Sequence, residues 1–301
     1  MSKQQGTFTC VAAVVVASVL WGTTGAAASF APDVSPLAIG AIATGGGGFL
    51  MSLRALQHLC KQWSSLLRYK HLVVYGGLCV AVYPLAFYSS MRLAGVAIGT
   101  VVSIASAPLF AVLLEKQFNN KPVTVKWLLS FVLGVAGILC LALAKPDTMH
   151  EPSMGFDREW GIMLGLVAGL TYAAYSWTGK AMIVRGINAS AAMAAQFGVA
   201  SVMLLPSLYF TGENLLASDT NISVALYMAF IPMFLGYVLF GYGLQRIDAS
   251  IATLITLLEP VVATLLAVWL LAERFSPRGW VGILLISLCI MVQMMRTKKK
   301  A

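Results

Sequence analysis

Apolar runs of roughly twenty residues, nearly free of charge, follow one another along the whole of this 301-residue chain. They fall at residues 7–31, 34–53, 72–91, 93–114, 127–144, 160–179, 188–210, 222–244, 249–271 and 279–295. Each is long enough to cross about 30 Å of hydrocarbon at 1.5 Å per residue. Within lipid a single helix satisfies its own backbone hydrogen bonds, and the two-residue alternation of a membrane β-barrel is absent. The expected fold class is an all-α integral membrane protein of ten transmembrane helices. A composition 59% hydrophobic and 10% charged, with mean hydropathy +0.84, excludes an ordinary soluble domain. Ten spans take about two thirds of the chain, so no separate catalytic domain fits beside them.

The net charge of +9 does not signal a nucleic-acid partner, because the basic residues sit between apolar runs and in the tail at Lys298, Lys299 and Lys300. If crossings alternate from a cytoplasmic N-terminus, 15 of the 20 Lys and Arg residues fall on one side of the bilayer and 5 on the other. By the positive-inside rule both termini are expected in the cytoplasm. Acidic residues on the opposite face, Asp33, Asp147, Glu151, Asp157, Glu159, Glu213, Asp219 and Glu273, agree weakly. The small residues Ala27-Ala28-Ser29-Phe30-Ala31 resemble a signal-peptidase site, but the long run and the lone Lys3 before it favour a retained span. Five scattered cysteines, Cys10, Cys60, Cys79, Cys140 and Cys289, form no CxxC pair. With His58, His71 and His150 at span ends or loops, no metal site is expected. Gly45 to Gly48 lack the Gly-Lys-Ser/Thr of a phosphate loop and are read as packing positions, like Gly134 and Gly137. No cofactor is expected.

The two halves are similar at an offset near 153. Tyr88, Arg92, Thr100, Pro108 and Trp127 stand opposite Tyr242, Arg246, Thr253, Pro260 and Trp280, allowing one-residue slips. Five spans is an odd number, so a duplicated half, residues 151–301 after 1–150, enters the membrane upside down. Such a 5+5 inverted repeat can rock about a shared midplane site, opening it to each side in turn.

Leu20-Trp21-Gly22-Thr23 in the first run, Leu258-Glu259-Pro260-Val261 in the ninth and Leu271-Ala272-Glu273-Arg274-Phe275 after it resemble the drug/metabolite transporter superfamily, specifically its EamA-type ten-helix exporters. The resemblance covers nearly the whole chain. It departs in the first half, where Ser106-Ala107-Pro108-Leu109 has no glutamate before its proline and Glu115-Lys116 stand closer to that proline than the loop acid and base should. What it implies is export of small metabolites or drugs, spans three, four, eight and nine beside a central cavity, spans five and ten at the periphery, and a role for Trp21.

Glu259 is the one acid well inside an apolar run, about ten positions from each end of the ninth. A charge at mid-bilayer costs about 2.5–3.5 kcal/mol, so such a group faces a wet cavity, pairs with a cation or takes a proton. Two readings stay open: Glu259 binds a cationic group of the solute or exchanges a proton, or it is a protonated carboxyl bonded to a carbonyl freed by Pro260. Thr253, Thr256 and Glu259, at three-residue spacing, share a helix face, as do Ser103 and Ser106, and the two faces are expected to meet at the pseudo-symmetric centre. Tyr83, Tyr88, Tyr172, Tyr175, Trp177, Tyr237 and Tyr242 complete the candidate solute-binding set, with an interfacial-belt reading open for Tyr172 and Trp177. Pro84, Pro108, Pro206, Pro232 and Pro260 are mid-span kinks; Pro108 and Pro260, being repeat-related, are the favoured hinges. No nucleophile set or paired acid supports an enzyme. The expectation is a secondary transporter in the lipid bilayer, exporting a small solute such as an amino acid, its derivative or an amphipathic drug, with homodimer formation left open. The alternatives are an importer of the same type and a multi-span scaffold or assembly protein.

Overall fold

Ten helices follow one another among the described residues, and four of them start at a capping polar side chain. The computed structural model describes residues 3–144, 156–271 and 276–294. Residues 272–275 of the motif after the ninth run, Lys145, Asp147, His150, Glu151, Arg296 and the tail at 298–300 lie outside the described residues. The helices are α1 (Lys3–Gly22, continued by a short turn Thr24–Ala28), α2 (Pro36–Arg54), α3 (Lys70–Ala94), α4 (Val96–Asn119) and α5 (Val125–Ala142), then α6 (Phe156–Val184), α7 (Ala189–Thr211), α8 (Asp219–Gly243), α9 (249–271) and α10 (Pro277–Met294). Among the described residues there is no strand. Eight of the ten pass as membrane spans on length and composition alone. Of the other two, α6 has glycines, hydroxyls, tyrosines and tryptophans along its uncharged stretch, and α10 has an apolar stretch of only 17 residues.

The caps explain the boundaries. Ser35 accepts the Ala38 N–H at 3.1 Å ahead of Pro36, and Thr124 accepts the Trp127 N–H at 3.1 Å. Asn188 accepts from Ser190 at 2.9 Å and Ser218 from Asn221 at 3.1 Å. Each supplies an acceptor for a helix-end donor that has no partner of its own.

The packing is interleaved between halves. α1, the first helix of one half, packs on α8, the third of the other; α6 packs on α3 in the same way. The second helices, α2 and α7, pack on each other, and so do the fifth, α5 and α10, which lie off to one side. This exchange relates the halves by a pseudo-twofold, and with five crossings per half the second is inverted. Gly45 to Gly48 make the α2 contacts possible. At Gly48 an added Cβ would meet the Phe197 carbonyl oxygen of α7 at 2.4 Å and Ser201 Oγ at 2.5 Å. Gly134 and Gly137 are likewise packed, against Leu257 and Ile286.

The outer surface suits lipid. Val16, Val74, Val132, Val202 and Leu284 are exposed on the helix faces, while Trp160, Tyr209, Trp269 and Trp280 ring the end of the bundle away from the N-terminus. The same surface in water would be an aggregation liability.

Candidate functional site

Span nine is the least regular helix, and its irregularity places the buried acid. It runs as α-helix over Ala249–Ile255, tightens to a 3₁₀ turn over Thr256–Leu258, and resumes at Glu259–Leu271. Pro260 has no N–H to offer the Thr256 carbonyl. That carbonyl is taken by the Glu259 backbone N–H in the 3₁₀ turn, so the Glu259 carboxyl is not used to satisfy it. The reading of Glu259 as a plug for the proline's vacant acceptor is thereby corrected. Instead the carboxyl lines a central cavity, where it is the only charged lining group, and among the described residues no hydrogen bond or ion pair reaches it.

Aromatic side chains are half of the remaining lining residues. Trp21 of α1 lies 4.7 Å from Tyr237 of α8, Tyr83 of α3 lies 5.5 Å from Tyr172 of α6, and Tyr172 lies 5.2 Å from Tyr175, centroid to centroid. Hydrogen bonds hold four of these rings. Trp21 Nε1 donates to the Pro232 carbonyl at 2.8 Å, Tyr172 Oη donates to Thr256 Oγ1 at 2.8 Å, and the hydroxyls of Tyr175 and Tyr237 are 2.7 Å apart. The hydroxyls of Tyr83 and Tyr88, also in the wall, make no hydrogen bond within the described residues. Gly22 brings α1 against the backbone of α9 at Glu259 itself. Trp21 and Tyr175, and Tyr83 and Tyr237, are each separated by 154 positions, so equivalent places in the two halves face one cavity. The acid has no such twin: the residue before Pro108, which stands opposite Pro260, is the buried Ala107.

Of the residues expected from sequence, the structure gathers Glu259, Trp21, Tyr83, Pro84, Tyr88, Tyr172, Tyr175 and Tyr237 around the cavity. Tyr172 is therefore no belt residue. Others are elsewhere. Thr253 and Thr256 are fully buried with their hydroxyls bonded back to their own helix, to the Ala249 carbonyl at 2.9 Å and the Thr253 carbonyl at 2.8 Å; Thr256 touches the site only through Tyr172. The Ser106 hydroxyl and the Ser103 backbone carbonyl lie against Gly169 of α6, and neither serine lines the cavity, so the expected meeting of the two hydroxyl faces does not occur there. Among the described residues span four contributes no lining residue; spans two and six, which the resemblance did not imply, contribute several, and span one contributes Trp21, which it did. Tyr242 is 41% exposed on the outside of α8. A π-helical turn at Ala229–Leu235 carries the kink at Pro232 and shifts the faces of that helix. Trp177 lies near the end of α6, donating to Asn119 Oδ1 at 2.7 Å. Pro108 and Pro260 are outside the lining. Phe87, Thr44 and Met233 line it without having been expected; Phe87, one turn beyond Tyr83, carried a usable signal in its spacing.

The cavity reaches from mid-span toward the end of the bundle where α1 finishes, at Thr24 and Gly40. Chemically it offers one acid and several π faces, whose negative quadrupoles attract cations and whose walls exclude water from the contact.

The EamA-like transporter family profile matches the chain twice, at residues 8–143 and 159–295. An uncharacterized transporter of Bacillus subtilis, YwfM, is 31% identical over 283 residues, which is 93% of this chain and 91% of that protein. A probable terminal-alkyne amino-acid exporter of Streptantibioticus cattleyicolor is 25% identical over 180 residues, 60% of this chain and 58% of its own length. A solved crystal structure superposes with a TM-score of 0.77 over 95% of this chain and 96% of its own, at 18% identity, a likeness of fold.

Proposed function

The chain belongs to the EamA-like transporter family, and from that premise we propose that it carries a small solute bearing a protonated amine out of the cell by alternating access. It is a membrane transporter and not an enzyme. The single observation behind the finer reading is the Glu259 carboxyl, partnerless among the described residues and set among aromatic rings. A solute ammonium fits that setting, since an acid and π faces together stabilise a cation that has left water. An amino acid, its derivative or an amphipathic amine drug all carry such a group beside an apolar body; the exporter name of one relative points the same way. Proton exchange at the same carboxyl is the second reading, supported by the same mid-membrane position. In this reading the halves 1–150 and 151–301 are the rocking units and both termini are in the cytoplasm of a bacterial inner membrane, an orientation supported by the 15 basic residues of one face.

The test is an efflux screen in proteoliposomes with amino acids, their derivatives and cationic drugs, run on wild type and Glu259→Gln in parallel. The amide keeps the shape and removes the charge. Transport of amines should fall at least about tenfold, the scale of one lost charge contact of about 1.4 kcal/mol. An unchanged rate and an unchanged pH dependence in a folded Gln variant rule out both readings of the carboxyl.

A further inference from the structure

The cavity reaches toward one end of the bundle, and a set of polar ties joins the helices at the other, where α4, α6 and α8 finish and α5 and α9 begin. Glu115 stands near the end of α4 and is only 4% exposed. Its Oε1 accepts the backbone N–H of Ser250 at 3.0 Å, and its Oε2 accepts the Ser250 hydroxyl at 2.6 Å. Ser250 is the second residue of α9, so Glu115 takes over the task of capping that helix. Asp248, the residue at the capping position, makes no such bond; its carboxylate is engaged by Lys121 instead. Trp127 Nε1 of α5 donates to the Ser250 carbonyl at 3.3 Å, and Lys180 Nζ of α6 donates to the Leu244 carbonyl at the end of α8 at 2.8 Å.

Three of these four ties run from the first half of the chain to the second, and they meet at residues 248–250. A static support for α9 needs no second half of the molecule: its own Asp248 is at hand to cap it. A buried carboxylate that spends both oxygens on the opposite half gives a contact that is strong when made and leaves both partners unsatisfied when broken, which is the behaviour of a two-state element. The same helix carries Glu259 further along, beyond Tyr172 Oη on Thr256, so movement at Ser250 is transmitted to the site through one span.

We propose that Glu115 is a latch: by capping α9 across the two halves it holds the cavity shut at the end that bears the N-terminus, and its release from Ser250 is the step that admits solute from that side. This rests on the alternating-access reading above. Glu115 touches no solute; it is a positioning residue acting through α9.

Amide exchange read by mass spectrometry on the full chain in lipid nanodiscs tests it, with wild type, Glu115→Ala, Glu115→Gln and Ser250→Ala. Ser250→Ala removes only a hydroxyl and guards against a Glu115 variant that does not fold. For Glu115→Ala and Ser250→Ala the latch predicts exchange about tenfold faster over residues 245–255, as expected for one lost charge-assisted hydrogen bond. At the same time it predicts slower exchange over residues 20–28 and 36–41 at the opposite end, because opening one side closes the other. Glu115→Gln, which retains an acceptor for Ser250, should lie between. Faster exchange at both ends, or no change at either, overturns the latch, the first being what a purely structural cap would give. No solute is present in this measurement. Opposed changes without any transported amine would therefore sink the proposed function and leave the latch standing, and transport without them the reverse.

Discussion

Replacing Gly22 by alanine adds one methyl group at the closest approach of α1 to the acid-bearing helix. A Cβ there would lie 2.5 Å from Val262 Cβ, 2.8 Å from Val262 Cγ1 and 2.8 Å from the Glu259 carbonyl oxygen. Ordinary contact between carbon atoms begins at about 3.5 Å, so α1 and α9 must part by about 1 Å. Val262 is β-branched and has little rotamer freedom in a helix, and a backbone carbonyl cannot step aside, so the helices themselves have to move. Overpacking of this kind costs about 1–3 kcal/mol. The displacement falls at the start of the Glu259–Leu271 segment, and so separates the carboxyl from Trp21, which is tied to Pro232 of α8. Gly25→Ala is the control, since nothing lies within 4 Å of a Cβ at that position. Thermal unfolding in detergent and the initial efflux rate are measured on both. Gly22→Ala should lose about 1–3 kcal/mol of stability and about tenfold in rate, while Gly25→Ala stays within about 0.5 kcal/mol of wild type. Equal behaviour of the two variants would falsify the close apposition of α1 and α9.

Tyr172→Phe deletes the donor to Thr256 and should cost about 1 kcal/mol of stability with a measurable loss of transport, checked by the same melt and efflux assays. Cys60 is exposed in the segment between α2 and α3, whereas Cys10, Cys79 and Cys289 are buried. With the half-exposed Cys140, at the far end of α5, replaced by serine, a membrane-impermeant maleimide should therefore label Cys60 in inside-out vesicles and not in intact cells; labelling in intact cells contradicts cytoplasmic termini.

The spans were legible because lipid imposes a single solution on a long uncharged run, and the repeat because an odd count admits only an inverted copy. Glu259 was legible for a related reason: one acid in a sea of apolar residues has to answer to something. Faces within helices were harder. Thr253 and Thr256 spend their hydroxyls on carbonyls of their own helix, which spacing alone does not show, and Tyr237 and Tyr242, five positions apart in the regular helix after the π turn, are about 140° apart around it, so that Tyr237 faces in and Tyr242 faces out. A second π turn, Ile42–Gly46 in α2, brings Ala43 and Thr44 to the cavity although nothing in their chemistry stands out. The bond of Glu115 to Ser250 spans 135 residues and depends on how two halves interleave, information that no local pattern carries.

Equilibrium binding to the purified protein of matched pairs, each an amphipathic primary amine and its neutral isostere, probes the role of Glu259 without any assumption about direction or driving force. A carboxyl that holds a cation among aromatic rings requires the amine of a pair to bind at least about tenfold tighter than the isostere, and Glu259→Gln to erase that difference. Equal affinities within each pair, or a preference that survives in the Gln variant, would contradict it.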